Sequence, residues 1–446
     1  MNILWRMARN PLTGNIKHEN FMKKGTLRIF IAAILLNCTF GSMSAQVIDT
    51  RTQIFDPAFK SLQVKLVGND YFPPVLTITN NDHIEVRFDE LSPEVSYLRY
   101  SLVHCNADWQ PSDLVEAEYI DGFNYANIEN YEYSSGTFSH FVHYSFTLPN
   151  DDMQFTASGN YLVRVYPEDE PDNILLQARF CVCENIISVY PSVSSRTDVD
   201  YKESHQQLSV TVDARDYRVR DMYQDLMVFV NQNSRIDNEV YINRPMRVMG
   251  TKAFFEHDKN LIFPAGNEFR RMETVAVNYP TMGVAGVEYF HPYYHATLYT
   301  DELRADEPYS YDRTQFGRFT VRNAEGTNSN TEADYIVTHF SLATGGPVTG
   351  GKIYLDGEFT NHLFSPETLM IYDPSSGNYV ADIMLKQGAY NYQYLFVPDG
   401  TNVGLTSKIE GDKYQTVNEY SVRVYNRPVG ERYDRLIGFG MIFSGK

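Results

Sequence analysis

Ile84-Glu85-Val86-Arg87-Phe88, followed by Tyr97-Leu98-Arg99-Tyr100-Ser101-Leu102-Val103, decides how the chain reads. Apolar and polar residues alternate with a period of two, which in an extended strand sends one set to a buried face and the other outward. Residues 76–79, 143–148 and 161–166 repeat the pattern. Between these runs stand Tyr71-Phe72-Pro73-Pro74, Pro149-Asn150-Asp151-Asp152 and Pro167-Glu168-Asp169-Glu170-Pro171-Asp172, which punctuate as loops. Short strands at regular spacing are the rhythm of a β-sandwich.

The composition agrees. Of 446 residues, 33 are Tyr and 27 Phe against 14 Met, the aromatic bias that pleated surfaces favour. With 43% hydrophobic residues the chain is long enough for two or three domains of roughly 100–200 residues each. A Ser/Pro-rich stretch, Val189-Tyr190-Pro191-Ser192-Val193-Ser194-Ser195, marks a first boundary. A second β set runs from 208–212 and 226–233 to 317–321, and the polar segment 324–331 reads as a linker or long loop. A third set covers 335–342, 352–355, 369–372, 379–386, 390–397, 420–425 and 436–443. No window shows a competing helical period. The expected fold is therefore all-β, tandem immunoglobulin-like or early-set β-sandwich domains over 46–188, 189–325 and 326–446.

At the front, Lys23-Lys24-Gly25-Thr26-Leu27-Arg28 precedes an apolar run at 29–36 and the small residues Gly41-Ser42-Met43-Ser44-Ala45. That order is expected of a secretory signal peptide cleaved after Ala45, with 1–21 an extended n-region or misplaced start. The run falls short of the ~20 residues of a spanning helix. Lipidation at Cys38 is the alternative, but Asn37 occupies the place where a small residue is wanted. An exported, periplasmic protein is expected.

The net charge is −18, from 38 basic and 56 acidic residues. Without 1–45, which hold six basic residues and one acidic, the balance is 32 against 55, or −23. Such a field repels nucleic acid and anionic membrane surfaces. The remaining cysteines, Cys105, Cys181 and Cys183, are odd in number, so at least one thiol stays unpaired in an oxidising compartment. Cys181 and Cys183 lie two apart in a strand and share a face; either reaches Cys105 if the strands meet, and burial as free thiols is the commoner fate.

Candidate chemistry is sparse. His291-Pro292-Tyr293-Tyr294-His295 has zinc spacing only on a helix, and in a strand its histidines stand ~13 Å apart. His140 and His143 project to opposite faces of a strand. The acidic run 168–172 lacks the spaced ligands and central Gly of a calcium loop. No nucleophile elbow or phosphate-cradling Gly-rich loop occurs. No catalytic, cofactor or metal site is assigned. The densest polar cluster is His104-Cys105-Asn106-Ala107-Asp108-Trp109, where the Asp108 carboxylate is expected to satisfy loop amides in an edge turn.

That cluster, with Glu118-Tyr119-Ile120-Asp121-Gly122-Phe123-Asn124, Ile128-Glu129-Asn130-Tyr131-Glu132-Tyr133-Ser134 and Ser158-Gly159-Asn160-Tyr161, resembles the plug protein family of the type IX secretion system. Phe263-Pro264-Ala265-Gly266-Asn267-Glu268-Phe269-Arg270, Leu385-Lys386-Gln387-Gly388-Ala389-Tyr390-Asn391-Tyr392-Gln393-Tyr394 and Arg432-Tyr433-Asp434-Arg435-Leu436-Ile437-Gly438 are similar to it too. The resemblance implies a non-catalytic periplasmic plug that binds the outer-membrane translocon barrel and seals its periplasmic opening when export is idle. It marks His104, Cys105, Asp108, Trp109, Asp121, Gly122, Phe123, Asn267, Glu268, Lys386, Gln387 and Gly388 as motif positions, structural or in contact with the partner. It brings no catalytic residue and no cofactor.

Ile353-Tyr354-Leu355-Asp356-Gly357-Glu358-Phe359-Thr360-Asn361 also resembles the early-set modules beside amylase domains, where a glycan-binding Trp follows. Here His362 takes that place, and the chain's two Trp are Trp5 and Trp109. Periplasmic or surface glycan binding is thus the alternative function, requiring a Tyr platform in residues 331–446. A secreted hydrolase would need a perturbed carboxylate or His in a deep pocket. Export as a cargo of the same pathway is discouraged, because the third domain resembles the plug family through to its end.

Overall fold

Within the strand Ile84–Glu90, Ile84, Val86 and Phe88 are fully buried while Glu85 and Arg87 keep partial exposure. The computed structural model describes residues 49–445. These three side chains meet Leu98, Tyr100 and Leu102 of Leu98–Cys105 and Tyr161, Val163 and Val165 of Gly159–Pro167 in a first core. Burial of each such side chain contributes about 1.5–3 kcal/mol. Two sheets enclose the core. One orders Gln53–Ile54, Leu176–Cys183, Gly159–Pro167, Leu98–Cys105 and Ala126–Asn127, with Val75–Thr77 parallel to Leu176–Cys183. Facing it are Phe59–Leu66, Ile84–Glu90, Val142–Leu148 and Tyr131–Tyr133.

A second core gathers Leu208, Val210, Val212, Leu226, Val228 and Val230 with Tyr420, Val422, Val424 and Ile437. Its sheet sets Leu226–Gln232 antiparallel to Glu419–Asn426, with Val228 opposite Val424 and Val230 opposite Val422. Arg435–Phe443 completes that hairpin. A third core takes Met272, Val284, Ala296 and Leu298 together with Ile336, Phe340, Leu342, Tyr390 and Tyr394. Strands and cores therefore cross residue 325 in both directions. Alternation tells a strand which face to bury and says nothing of which strand lies alongside, so the crossing leaves no trace in the periodicity. Residues 50–445 form one compact unit.

Two segments differ locally from the sequence reading. The polar stretch 324–331 holds a one-turn helix, Ser329–Glu332, capped by the Asn328 side chain on Asn330 N, with Glu332 accepting from Thr327 and Asn328 amides. The segment 291–295 is not one strand: Val284–Phe290 and Tyr293–Leu298 form a hairpin that turns at His291-Pro292. His295 instead meets His339 across parallel strands, with its Nδ1 2.8 Å from His339 Nε2. Among the described residues no helix is long and apolar enough to cross a membrane. The signal peptide, Cys38 and residues 1–45 lie outside the described residues.

Candidate functional site: buried joints and an exposed edge

The strand Leu98–Cys105 runs straight into the His104–Trp109 cluster, and each member has a distinct task. His104 is 2% exposed; its Nε2 lies 3.0 Å from the Ser158 carbonyl and its Nδ1 2.7 Å from Ser112 Oγ. A carbonyl only accepts, so Nε2 carries the proton and Nδ1 accepts from the Ser112 hydroxyl. Burial pushes the imidazole down to about 4, which keeps the ring neutral. Gly159 makes room for it, because a Cβ there would stand 2.6 Å from His104 Nε2. Asp108 is exposed and accepts from the Gln110 amide at 3.0 Å, and Trp109, at a positive φ of 65°, is buried beneath the Arg179 guanidinium at 4.2 Å. Cys105, Cys181 and Cys183 are all free and buried. Burial drives the Cys105 and Cys183 thiols up to about 12.

The cluster docks the C-terminal hairpin. Ala107 N donates to Asp434 Oδ2 at 3.0 Å and Asp434 N to Asn106 Oδ1 at 3.2 Å. Alongside, Tyr425 donates to Asn160 Oδ1 at 2.6 Å, and Arg423 is paired with Glu239 and lies 3.8 Å from Cys181 Sγ. First and second cores are thus bonded across the joint by Ala107, Asn106 and Asn160 on one side and Asp434 and Tyr425 on the other, buried or partly buried groups that satisfy one another.

Lys386-Gln387-Gly388 forms the matching joint between first and third cores. Lys386 and Asp89 are each 1% exposed and meet at 2.5 Å. Asp89 also accepts from Tyr335 OH at 2.6 Å and lies 2.6 Å from His143 Nδ1. Burial alone would raise the Asp89 carboxyl, but the Lys386 ammonium and His143 hold it below its usual value. For Lys386, burial outweighs Asp89 and lowers the ammonium. Gln387 Oε1 accepts from Asp334 N, whose carboxylate in turn accepts from the Phe138 and Ser139 amides at 2.7 and 3.0 Å. A Cβ on Gly388 would meet Thr320 O at 2.5 Å, so the strands close there only around glycine.

Asn267 and Glu268 lie elsewhere, inside the third module's loops. Asn267 donates to Glu410 O at 2.8 Å. Glu268 accepts from Tyr309 OH at 2.7 Å and Val417 N at 3.1 Å, and burial raises its carboxyl. His362, where the early-set glycan binders place Trp, pairs with buried Asp356 at 2.9 Å. The preceding turn faces the first module, with Glu358 accepting from Lys65 at 2.6 Å.

Asp121-Gly122-Phe123 behaves differently: it presents side chains to solvent. Ile120–Gly122 pairs with Met153–Phe155, and Gly122, at φ 114°, is packed so closely that a Cβ would stand 2.0 Å from Asp152 O. Asn124 pins the loop by exchanging hydrogen bonds with Leu102 N and O at 2.9 and 2.8 Å. Held this way, Phe123 is 69% and Tyr125 53% exposed, their rings 5.9 Å apart. The same connection supplies exposed Tyr131 and Tyr133 on the outermost strand of the opposite sheet. Exposed Glu116, Asp121, Glu129 and Glu132 lie on this stretch.

The twelve motif positions therefore do not converge on one site. His104, Cys105, Asp108 and Trp109 serve one joint, Lys386, Gln387 and Gly388 another, Asn267 and Glu268 a third, and Asp121, Gly122 and Phe123 an exposed edge. Asp89, His143, Asn160, Tyr335 and Asp434, which complete the joints, were not assigned as site residues from sequence. Asn160 and Asp434 stand inside family motifs and His143 was weighed only as a metal ligand, while Asp89 and Tyr335 carry no local signal.

An assembly of β-sandwiches with its polar chemistry spent on internal joints and an aromatic edge left open defines a protein of the all-β class. Residues 59–184 match the family described as type 9 secretion system plug protein 1st domain, and the chain belongs to that family. It is similar to the crystal structure of a hypothetical protein from Parabacteroides merdae ATCC 43184 at 2.30 Å resolution, with 42% identity, 89% of this chain and 100% of that chain covered, and a TM-score of 0.88. A putative membrane anchored protein from Corynebacterium diphtheriae aligns at 8% identity over 86% of this chain and 91% of that one, but its TM-score of 0.13 carries no argument. No curated protein matches.

Proposed function

We propose that the chain is a non-catalytic periplasmic plug that binds the type IX translocon barrel and seals its periplasmic opening while export is idle. The family match over residues 59–184 carries this reading. The physics of the fold suits it. A stopper for a pore wide enough to pass folded cargo must resist deformation, and buried bonds join the first core to both others, so the modules resist moving independently. The net charge of −18 favours a basic rim on the barrel and a salt-sensitive association rate. Amphipathic rings such as Phe123 and Tyr125 give contact area at modest ordering cost, as a releasable seal requires.

The test is a deletion strain and an affinity-tagged chain. Outer-membrane permeability to large dyes or antibiotics should rise in the deletion strain, and the tagged chain should co-purify with the translocon. Unchanged permeability together with failure to co-purify would refute the plug.

A further inference from the structure

A cleft of about 200 Å³ is lined by Leu62 and Phe180 of the first core, by Trp109 and Cys181 at its joint with the second, and by polar side chains such as Glu358 and Arg423 from the elements around the other two cores. Its floor is apolar and aromatic, with Trp109, Phe316 and Phe439. Its cations are unequal. Lys65 is paired with Glu358, Arg318 with Glu419 and Arg423 with Glu239. Arg179, lying 4.2 Å above the Trp109 ring, has no carboxylate within salt-bridge distance among the described residues. Two of its five N–H donors are engaged, both by Thr50: Nε donates to the carbonyl at 2.7 Å and Nη2 to Oγ1 at 3.1 Å. The Glu239 carboxylate in the same cleft acts on it only from beyond salt-bridge distance and is itself bonded to Arg423, so a partly buried guanidinium keeps open donors that are costly to leave unmatched. Burial lowers it to about 10 against the opposing pull of Glu239, with Arg423 adding to the fall.

A second, independent observation lies in the same cleft. Asn231 is 8% exposed and donates through Nδ2 to the Arg235 carbonyl, but its Oδ1 is buried with no hydrogen-bond partner. An orphaned acceptor of this kind costs about 1–3 kcal/mol, so it calls for a donor that the chain does not supply.

The cleft therefore offers a cation with open N–H donors, an unspent acceptor and an aromatic floor. A cavity of ~150 Å³ is enough for benzene, so about 200 Å³ takes one ring with a short acid arm. We propose that this cleft binds a small aromatic carboxylate carrying a hydroxyl or amine donor, its carboxylate on Arg179, its donor toward Asn231 Oδ1 and its ring against Trp109. This site is independent of the plug reading, and its failure would leave that reading untouched.

The test is calorimetric titration of the mature chain with 4-hydroxyphenylacetate, alongside phenylacetate, which lacks the donor, and 4-hydroxyphenylacetamide, which lacks the charge. Saturable 1:1 binding of the acid is expected, a few-fold weaker for phenylacetate and at least tenfold weaker for the amide. Arg179→Gln should weaken the acid at least tenfold while leaving the amide unchanged, and Arg179→Lys should recover part of the loss. Asn231→Leu should abolish the difference between 4-hydroxyphenylacetate and phenylacetate, and provides a second arm if the Arg179 variants fold poorly. No saturable binding, or equal binding of acid and amide, would overturn the proposal and mark the cleft as a water-filled seam.

Discussion

Lys386 Nζ donates to Asp89 Oδ2 at 2.5 Å across 297 residues of sequence, with both side chains 1% exposed. An isolated buried charge is far costlier than a lost pair, so the consequence is asymmetric. Lys386→Met should destabilise the chain by about 3–5 kcal/mol, whereas Asp89→Asn with Lys386→Met should cost clearly less than the sum of the two single changes. Urea unfolding of the four proteins in a double-mutant cycle checks this, and strict additivity would refute the coupling.

His104 imposes a pH dependence whose sign is fixed. Its folded value is about 4 against an ordinary 6.5, so the unfolded chain binds more protons and stability falls as pH drops through that window. Between pH 7.5 and 5 the loss attributable to this ring should be roughly 2 kcal/mol. His104→Gln should be less stable at pH 7.5 yet flatter across that range by about the same amount, read from denaturant midpoints at each pH.

Gly122→Ala tests the packing under the exposed loop. With φ at 114° and a Cβ position 2.0 Å from the Asp152 carbonyl, alanine forces the backbone apart. A loss of about 2 kcal/mol or more is expected. Thermal unfolding measures it, and a change within about 0.5 kcal/mol would show that the hairpin shifts freely.

Phe123→Ser with Tyr125→Ser should leave folding stability within about 0.5 kcal/mol, because both rings are exposed. If this edge contacts the translocon, recovery of the barrel in pull-downs should fall at least tenfold, the effect of losing an aromatic anchor. Full recovery would place the contact on another face.

The three thiols should be silent in the native chain. Cys105, Cys181 and Cys183 are buried and their thiols are raised by burial, so a disulfide-exchange reagent at pH 8 should find none in native protein expressed from residue 46 onward and all three after denaturation without reductant. One titratable thiol after denaturation would reveal a disulfide.

What could be read ahead of the structure was local. Ile84, Val86 and Phe88 announced their burial by alternation, and the turn around Asp108 by its residue types. By that same alternation Asp89 belongs on the outward side with Glu85 and Arg87, and only the third module, bringing Lys386 and Tyr335 against it, turns that outside into an interior. The aromatic edge was quoted as a motif, yet its exposure depends on how Asn124 is bonded to Leu102. The strand read over 291–295 is broken by a turn at His291-Pro292, which alternation alone does not announce. A strand pattern carries no address for its neighbour, so the pairing of Leu226–Gln232 with Glu419–Asn426 had no legible sign.

That last pairing bears on how the chain matures. Val228 and Val230 face Ile242 and Val240 on one side, but their second cross-strand neighbours, Val424 and Val422, arrive only with residues 419–443, roughly two hundred positions later in synthesis. A polypeptide interrupted before that point would leave a sticky, half-closed sheet for proteases to find, so the second module acts as its own proofreader of chain completion.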